Sequence, residues 1–498
     1  MYKHKLSKSR FLSGVQCEKK LYFDLYRKDL KPPISKQQEE LFSSGHFIGH
    51  LAQQLYPNGK DATPESYFDF SPSFESTKQW INDGVETIYE AAFFYDDVMA
   101  ALDILHHQNG ERWAIEVKSS KDVKDYHITD ASLQYWVMKN AGFKPDKFFL
   151  LHVNNKFIKN GIIDPKDFLT LKDITDRVIA KQDEVIQNVI RLKNIVNNRE
   201  TEPEVKISKH CSSPFNCDYM HHCWKHIPEN SVFNLPYARG KDWELYESGI
   251  LELSSIPDEI DLSHRQKLQV EGIKNGSSYV DRTAIKEFIS AWTYPLYFFD
   301  FETVFPLIPV LDGTTPMQQV PFQYSLHIKP DDHSEMIHRE FLANPRSFQS
   351  GSTLNPRKTL IEQLKSDFGP TGSIVAYNAG FEIDVLKKLA IAFPEDKEFL
   401  DGLINRFVDL LIPFRKAWYY KPEMGNSASI KSVLPAIAPQ FSYNDLEIGN
   451  GGLASNTFLS MILNKFEGDE SETRKNLLAY CERDTEGMVV IWEHLIDL

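Results

Sequence analysis

The sequence has few cysteines, no long apolar run and no excess of basic charge. Five cysteines among 498 residues exclude the disulfide framework of a small secreted protein. No apolar stretch approaches the roughly 20 residues that span a bilayer, and the basic N-terminus lacks the apolar segment of a signal peptide. The phosphate-binding pattern GxxxxGK(S/T) is absent, so we expect no nucleotide-driven motor within this chain. These absences predict a cytoplasmic, multi-domain enzyme with no membrane partner.

Acidic residues outnumber basic ones by 70 to 56, for a formal net charge of −14. Negative charge opposes non-specific coating of nucleic acid, because it repels the phosphates. It does not exclude a nucleic-acid enzyme, whose site must gather carboxylates to hold a metal ion. Residues 1–31 differ, since nine Lys or Arg face only three acids there, with Phe11, Tyr22, Phe23 and Tyr26 interleaved. This composition suits a single-stranded nucleic-acid backbone, and a solvated helix face is the alternative.

The residue pattern divides the chain into three stretches. Residues 1–230 contain four of the five cysteines, and residues 231–290 show short helical patterns broken by turn residues. Residues 291–498 alternate strand-like runs with helical segments, which is typical of an α/β domain. We therefore predict two α/β domains that are joined by a helical connector.

Helical periodicity is clearest at two places in the first stretch. We predict a helix over residues 128–142, with Thr129 or Asp130 as its N-terminal cap. Apolar residues at helical spacing predict one long amphipathic helix over residues 168–196.

A first group of residues with catalytic chemistry lies on two predicted strands of this stretch. Residues 103–107 and 112–120 read as adjacent strands that a turn connects. Alternate residues of a strand face the same side, so Glu116 and Lys118 are expected to project together toward Asp103. Two carboxylates can hold a divalent cation that polarises a phosphodiester, and an ammonium group can orient the attacking water. An ordinary strand with a solvated Glu and Lys is the alternative.

The order of these residues along the chain is Asp103, then Glu116 and Lys118, then a helix that carries Gln134. This order resembles the RecB-like branch of the PD-(D/E)XK nucleases, and the resemblance covers residues 10–225. The resemblance implies a restriction-endonuclease-like α/β core. By that resemblance Asp103 and Glu116 are metal ligands, and Lys118 and Gln134 are catalytic. The position of the family's metal-binding histidine is Gly49 here.

Four cysteines form a second pattern in the same stretch. Cys211, Cys217 and Cys223 are separated by five residues each, and Cys17 lies near the start. Structural zinc uses cysteine pairs two to four residues apart, so this spacing fits zinc poorly. Four thiolates can hold an iron–sulfur cluster instead. Two alternatives stay open: buried structural cysteines, or zinc bound by cysteine together with His210, His221 or His222.

One N-terminal cysteine and a later trio around a nuclease core resemble the cluster-bearing RecB-like nucleases, which include the AddB nuclease and CRISPR-associated four-cysteine exonucleases. The resemblance implies that a [4Fe–4S] cluster, bound by Cys17, Cys211, Cys217 and Cys223, joins the two ends of the domain.

The third stretch carries a second group of carboxylates. Asp300 and Glu302 alternate with apolar residues at the end of a hydrophobic strand, so both face one side. Burying two carboxylates there is costly unless they share a cation. Acids from separate segments can converge on two metal ions that act on a phosphodiester. The later segments add an acidic pair on one helix and a tyrosine and an aspartate four residues apart on another: Glu382 and Asp384, then Tyr480 and Asp484.

The segments DFE, NAGFE and YCERD, in this order over residues 292–498, resemble the three motifs of the DnaQ-like, DEDD-type 3′→5′ exonucleases. The resemblance implies an RNase H-like (DnaQ-type) α/β domain. By that resemblance Asp300, Glu302 and Asp484 are metal ligands and Tyr480 positions the attacking water. The family's second motif has Asp directly after Phe, where Glu382 stands here, so either Glu382 or Asp384 is the further ligand.

The two resemblances together predict a fusion of an iron–sulfur RecB-like nuclease domain and a DnaQ-like exonuclease domain, a pairing that resembles a bacterial family with both modules. The expected reaction is Mg²⁺- or Mn²⁺-dependent hydrolysis of phosphodiesters, on DNA ends or single strands, in DNA processing, repair or defence. An RNA 3′-end exonuclease is one alternative. Another is a nucleic-acid end-binding scaffold with an inert site. A helicase or another repair or defence protein is an open possibility as a partner.

Overall fold

A computed structural model describes residues 5–33, 36–66, 69–349, 352, 354–441, 443 and 445–498, with only the backbone for 36–44. The chain divides into two compact units, Met1–His226 and Ile227–Leu498. Both are mixtures of helices with parallel and antiparallel strands, which confirms the predicted α/β class. Within the described part of the chain, no helix combines the length and the apolar character needed to cross a membrane.

The first unit is built on a six-stranded sheet in the sequential order β1 to β6. The pairs β1–β2 and β4–β5 are parallel and the other neighbours are antiparallel. Its strands are β1 Lys60–Asp61, β2 Thr87–Tyr95, β3 Val98–Gln108, β4 Glu111–Lys118, β5 Lys147–Val153 and β6 Leu169–Asp173. Its helices are α1 Lys8–Gln16, α2 Glu18–Tyr26, α3 Lys36–Leu55, α4 Ser71–Asn82, α5 Asp125–Asn140, α6 Pro165–Phe168, α7 Thr175–Ala180, α8 Gln182–Asn197 and α9 Met220–Cys223.

The predicted strand pair is confirmed as β3 and β4, which form an antiparallel hairpin. Asn109 and Gly110 connect them with φ angles of 54° and 82°, the left-handed backbone that a tight hairpin turn requires. Helix α5 then crosses to β5, which lies parallel to β4. The hairpin and this crossover fix the positions from which the first carboxylate group projects.

The predicted start of one helix of this unit and the predicted extent of another were wrong. Helix α5 begins at Asp125 and not near residue 129, and Asp130 lies buried inside it. Asp130 does not cap the helix because its carboxylate accepts a hydrogen bond from Lys118. The long helix over 168–196 is in fact β6 followed by α7 and α8, since the first part of its pattern pairs with β5 as a strand.

The second unit contains a five-stranded sheet in the order β10-β9-β8-β11-β12, with β10, β9 and β8 antiparallel and β8, β11 and β12 parallel. Its strands are β7 Tyr279–Val280, β8 Leu296–Val304, β9 Val320–Lys329, β10 Ile337–Leu342, β11 Ser373–Ala376, β12 Phe407–Asp409 and β13 Tyr419–Tyr420. Its helices are α10 Lys241–Glu247, α11 His264–Asn275, α12 Arg282–Ser290, α13 Pro356–Asp367, α14 Gly380–Ala392, α15 Lys397–Ile404, α16 Ile412–Arg415, α17 Ile430–Ile437, α18 Gly451–Ile462 and α19 Glu470–Ile496.

Strand β8 is buried on both faces, because alternate residues pack against different helices. Phe298 packs in the core that includes α17 and α19, where its ring lies 5.5 Å from that of Trp492. Phe299 packs on the opposite face against residues of α13 and α14. The sequence motif at Asp300 therefore lies on the α19 side of a strand whose position is fixed from both faces.

The segment 231–290, predicted as a connector, belongs to the second unit. Its residues form a small apolar core of their own around Leu245 and Leu253. Helix α11 also contacts the rest of the unit, since Arg265 Nη1 donates a hydrogen bond to the Phe414 carbonyl over 2.6 Å. The short strand β7 pairs with β13.

Candidate functional site

The structure brings together the four residues predicted for the first site. The pairing of Ile104 with Ile115 sets β3 against β4 so that Asp103 and Glu116 lie opposite each other. Lys118 Nζ lies 2.6 Å from Glu116 Oε1, and Gln134 Nε2 donates to Glu116 Oε2 over 2.8 Å. Glu116 is 1% exposed, so its carboxylate depends on these partners for its charge.

The two carboxylates of this site have opposite electrostatic environments. Burial and the charge of Glu116 raise the pKa of Asp103 to about 7. Burial also raises the pKa of Glu116, but Lys118 and Lys8 outweigh it and hold that pKa below its usual range. The charges of Lys8 and Lys118 also act on Asp103 but do not outweigh its burial, and a divalent cation beside it would favour its charged form.

Several residues of this site were missed by the sequence reasoning. Lys8 on α1 donates to Glu116 Oε1 over 2.7 Å, and Asp130 accepts from Lys118 over 2.7 Å. Glu90 lies in β2 with a φ of 51°, where burial and Asp103 raise its pKa to about 8. An acidic residue inside the apolar run of β2 was a usable signal for Glu90. Lys8 left no such signal.

One open cavity of about 650 Å³ is lined by Lys8, Glu90, Asp103, Glu116 and Lys118. One face of α3 contributes His46, Gly49 and His50 to its wall. Gly49 occupies the position where the RecB-like family has its metal-binding histidine. His46 and His50 lie beside it on the same wall. The cavity holds acids, lysines and histidines together, which is a donor set suited to a divalent cation and a phosphate.

Cys17, Cys211, Cys217 and Cys223 line a second, smaller cavity of the first unit. None of them is in a disulfide. Burial raises the pKa of the Cys17 and Cys217 thiols, and that of Cys223 to about 11, with repulsion between neighbouring thiolates adding to the effect. Thiolates in such a place need a bound cation to form.

The structure limits how closely the four sulfurs approach one another. In the described part of the chain, the ligand atoms that approach one another within 4.8 Å do not include this set. A four-iron cluster separates its thiolates further than one zinc ion does, because the irons lie between them. Among the histidines of the zinc alternative, His210 lies next to a cysteine: its Nε2 is 3.7 Å from Cys211 Sγ.

The aromatic residues of the basic N-terminal region do not face solvent as the single-strand hypothesis requires. Phe11 and Phe23 are 0% exposed and Tyr22 is 9% exposed. Tyr26 is half-buried and its hydroxyl donates to the Val196 carbonyl. These rings pack in the core of the first unit, so the expectation that they stack on bases was wrong. Lys3 of this region lies outside the described residues.

The second carboxylate group converges at the junction of β8 and α19. One carboxylate oxygen from each of Asp300, Glu302 and Asp484 lies within 4.8 Å of the other two. Glu302 and Asp484 are each 8% exposed and Tyr480 is 4% exposed. The hydroxyl of Tyr480 donates a hydrogen bond to Asp484, four residues further along α19.

Every acid of this group is hard to ionise without a cation. Burial, followed by the charges of Asp484, Glu382 and Glu302, raises the pKa of Asp300 well above its ordinary value. Burial and Asp484 raise the pKa of Glu302 to about 8. Like charges at this distance cannot all form in a dry site, so the group has the electrostatics of an ion-binding site.

The structure separates the two candidates of the second motif. Glu382 is 2% exposed at the start of α14 and its Oε2 has no hydrogen-bond partner among the described residues. It lies close enough to Asp300 to raise the pKa of that carboxyl. Asp384 has a half-exposed side chain and forms an ion pair with Lys388. Glu382 therefore faces the carboxylate group, whereas Asp384 is held by a lysine.

Two further residues at this site escaped the sequence reasoning. Tyr443 donates from its hydroxyl to Asp484 Oδ1 over 2.7 Å. Lys431 Nζ lies 5.4 Å and 5.6 Å from the ring centres of Tyr443 and Tyr480. Its charge lowers the pKa values of Glu302 and Asp484. Both residues lie in segments without a recognisable motif, and only the fold brings them to the site.

A glycine at the start of α18 lies against the carboxylate group. A Cβ on Gly451 would lie 3.5 Å from Glu302 Oε2 and 3.8 Å from the Tyr480 hydroxyl. Asn450 caps the helix that begins there, accepting from the Leu453 amide over 2.9 Å. The backbone of α18 thus lies close to the carboxylates.

Comparison with known proteins finds relatives without an assigned activity. Residues 297–429 match the model of a family described as a domain of unknown function, DUF2779. An uncharacterized protein of Mycoplasma genitalium is 23% identical over 77% of this chain and 65% of its own length. Uncharacterized proteins of Mycoplasma pneumoniae and Ureaplasma parvum are 27% and 26% identical over 39% and 44% of this chain. The chain spans less than two-thirds of these relatives: 31%, 65% and 33% of their lengths.

Proposed function

We propose that this protein is a metal-dependent nuclease that hydrolyses phosphodiester bonds at the ends of DNA, with its main site at Asp300, Glu302 and Asp484. The observation that carries the proposal is the convergence of these three carboxylates within 4.8 Å in a buried setting. They come from strand β8 and helix α19, and 182 positions separate Glu302 from Asp484. Structural ion pairs do not explain this group, because the charge of Lys431 alone does not balance it.

The residues present fit Mg²⁺ or Mn²⁺. Both ions prefer carboxylate oxygens, and the raised pKa values of Asp300 and Glu302 mark a site that lacks positive charge. The unpartnered Oε2 of Glu382 is a further oxygen donor at the same place. Bound there, the metal would polarise the phosphate and lower the pKa of the attacking water.

The protein's own groups have three roles in this proposal. Tyr480 and Tyr443 both donate to Asp484, which orients its carboxylate and leaves the Tyr480 hydroxyl placed to align a water. Lys431 supplies positive charge toward developing negative charge on the phosphate. Gly451 leaves room for the substrate against Glu302.

The first unit supports a second nuclease site of the RecB-like type. Asp103 and Glu116 would hold the metal ion, and Lys118 and Gln134 would position the water and the carboxylate. Its cysteine cavity supports a [4Fe–4S] cluster, because one thiol from the start of α2 and three from residues 211–223 line it. In this proposal the cluster is structural, joining α2 to the segment around α9.

The two folds proposed are the restriction-endonuclease-like core for the first unit and the RNase H-like, DnaQ-type domain for the second. RNA 3′ ends are an alternative substrate, since the carboxylates act on the phosphodiester and not on the sugar. An end-binding scaffold is the rival without catalysis.

The test is degradation of end-labelled single- and double-stranded DNA and RNA by anaerobically purified protein with Mg²⁺ or Mn²⁺. We expect Asp300→Asn to abolish 3′→5′ degradation and Lys118→Ala to remove any activity of the first site. Asp401→Asn is the matched control, because that carboxylate is partly exposed, pairs with Lys397 on α15 and belongs to neither proposed site. Equal cleavage by wild type, Asp300→Asn and Lys118→Ala would indicate contamination and favour the scaffold.

A further inference from the structure

A separate group of metal-ligating side chains lies on the second unit's sheet. His327 on β9 and His338 on β10 are direct partners across the two antiparallel strands, with ring centres 4.5 Å apart. Glu482 on α19 joins them. One ligand atom from each of the three lies within 4.8 Å of the other two. Neither motif of the sequence includes these histidines.

Two hydroxyl groups fix which nitrogen of each imidazole carries the proton. Thr485 Oγ1 donates to the Glu482 carbonyl over 3.0 Å, because a carbonyl can only accept. The 2.7 Å contact between Ser325 Oγ and Thr485 Oγ1 must then use the hydrogen of Ser325. Neither hydroxyl has a second hydrogen to give.

Both histidines must therefore be the donors toward these hydroxyls. His338 Nε2 lies 3.0 Å from Ser325 Oγ, and His327 Nδ1 lies 2.9 Å from Thr485 Oγ1. The opposite ring nitrogens, Nδ1 of His338 and Nε2 of His327, are left with bare lone pairs in the neutral rings. Metal-binding histidines have this arrangement, in which a polar group holds one nitrogen and the other binds the ion.

The carboxylate faces one of these lone pairs. Glu482 Oε1 lies 3.6 Å from His338 Nδ1, a separation too long for a good hydrogen bond. Two ligand atoms each about 2.1 Å from one tetrahedral zinc ion lie about 3.4 Å apart. The side chains of His338 and Glu482 are 25% and 47% exposed, so an ion can reach them from solvent.

We propose that His327 Nε2, His338 Nδ1 and the Glu482 carboxylate bind one divalent transition-metal ion of the zinc class, separate from the ions at the Asp300 group. Two imidazoles and a carboxylate are a donor set that zinc accepts, with water in the fourth position. Burial and the neighbouring His338 lower the pKa of His327 to about 4, so this ring stays neutral as a ligand must.

The ion would tie the edge strand β10 to α19. That helix carries Tyr480 and Asp484, and Ser325, which holds His338, lies directly across from Asp300 on β8. The site therefore stabilises the scaffold of the carboxylate group. This inference does not depend on the nuclease proposal, because it concerns binding and stability alone.

The test is cobalt substitution in the full chain after removal of bound metal. Cobalt held by nitrogen and oxygen gives a visible ligand-field band, whereas cobalt held by cysteine adds a sulfur-to-metal charge-transfer band. We expect one fewer cobalt per chain in His327→Gln and in His338→Gln, with the cysteine band unchanged. The band should persist in Asp300→Asn and in His333→Gln, whose exposed histidine lies in the turn before β10.

Two further variants keep the result decisive if a histidine variant misfolds. Glu482→Gln alters a half-exposed carboxylate, and Thr485→Val removes the hydroxyl that orients His327. We expect Thr485→Val to weaken cobalt affinity by about 10- to 100-fold. Zinc should also raise the melting temperature of metal-depleted wild type but not of Glu482→Gln. Unchanged cobalt content and unchanged zinc response in the Glu482 and His338 variants would overturn the proposal.

Discussion

Lys8 Nζ lies 2.7 Å from Glu116 Oε1, although 108 positions separate the two residues in the chain. The first helix thus delivers an ammonium group to the centre of the first carboxylate site. With Lys118 on the same oxygen, it balances a carboxylate that is 1% exposed.

Replacement of Lys8 should destabilise the first unit. Lys8→Met leaves Glu116 with one ammonium partner, so we expect the free energy of unfolding to fall by about 1.5–3 kcal/mol in the presence of a chelator. Urea denaturation followed by circular dichroism measures the change. Lys5→Met is the matched control, because Lys5 pairs with a solvent-exposed Asp97 and should cost no more than about 1 kcal/mol. Equal losses in the two variants would contradict the role given to Lys8.

The second motif provides a direct comparison between Glu382 and Asp384. Glu382→Gln should lower degradation at least tenfold and weaken Mn²⁺ binding, because Glu382 faces the carboxylate group in a buried position. Asp384→Asn should have the smaller effect on both, since Asp384 is held by Lys388. Initial rates at varied Mn²⁺ concentrations decide between them. The reverse order would assign the ligand to Asp384.

The Tyr480 hydroxyl should matter for the rate and not for substrate binding. Tyr480→Phe removes the group expected to align the attacking water, so we expect the rate constant to fall by about 10²–10⁴-fold. Single-turnover rates and filter binding separate the two effects. Tyr294→Phe is the control, because its hydroxyl bonds to Asp332 outside the site. A Tyr480→Phe variant with full turnover would remove that role.

Loss of one cluster cysteine should remove iron and destabilise the first unit. We expect anaerobically purified wild type to be coloured and to contain four irons per cluster, and Cys17→Ser to lose most of both, because the cluster needs all four thiolates. Iron analysis and visible absorption measure this. Cys481→Ser is the matched control, since Cys481 lies in the second unit and is no part of the cysteine cavity. Colourless wild type with zinc would favour the zinc alternative.

Asp396 should make the free energy of unfolding of the second unit depend on pH in the acidic range. Burial raises the pKa of Asp396, but Lys358 and Lys365 outweigh it and hold that pKa below its ordinary value. A carboxyl whose folded pKa is depressed stabilises the protein above its unfolded pKa of about 3.9 and loses that contribution as pH falls through the folded value. Asp396→Asn should therefore be less stable than wild type at pH 7, with the difference shrinking below about pH 4. Urea denaturation across this range measures it, and a constant difference would contradict it.

The strands and helices that carry the motifs were predictable because they rest on local patterns. The hydrophobic run around Asp300 predicts β8, and the periodicity around Asp484 predicts α19, as the structure confirms. The start of α5 was not predictable, since Asp130 reads as a cap but serves Lys118 as an ion-pair partner. The local preference of an aspartate is to cap a helix, whereas in the folded protein Asp130 pairs with Lys118 inside the helix.

By itself the sequence determined the α/β class, and it singled out Asp103, Glu116, Asp300, Glu302, Asp484 and the four cysteines, because residue types and short-range spacing are visible in it. Only the tertiary structure decided that Lys8 and Glu90 join the first site, that Glu382 and not Asp384 faces the second, and that His327, His338 and Glu482 meet. The physical reason is the same in each case. These contacts join residues whose approach depends on strand register and helix packing, and no local pattern records either.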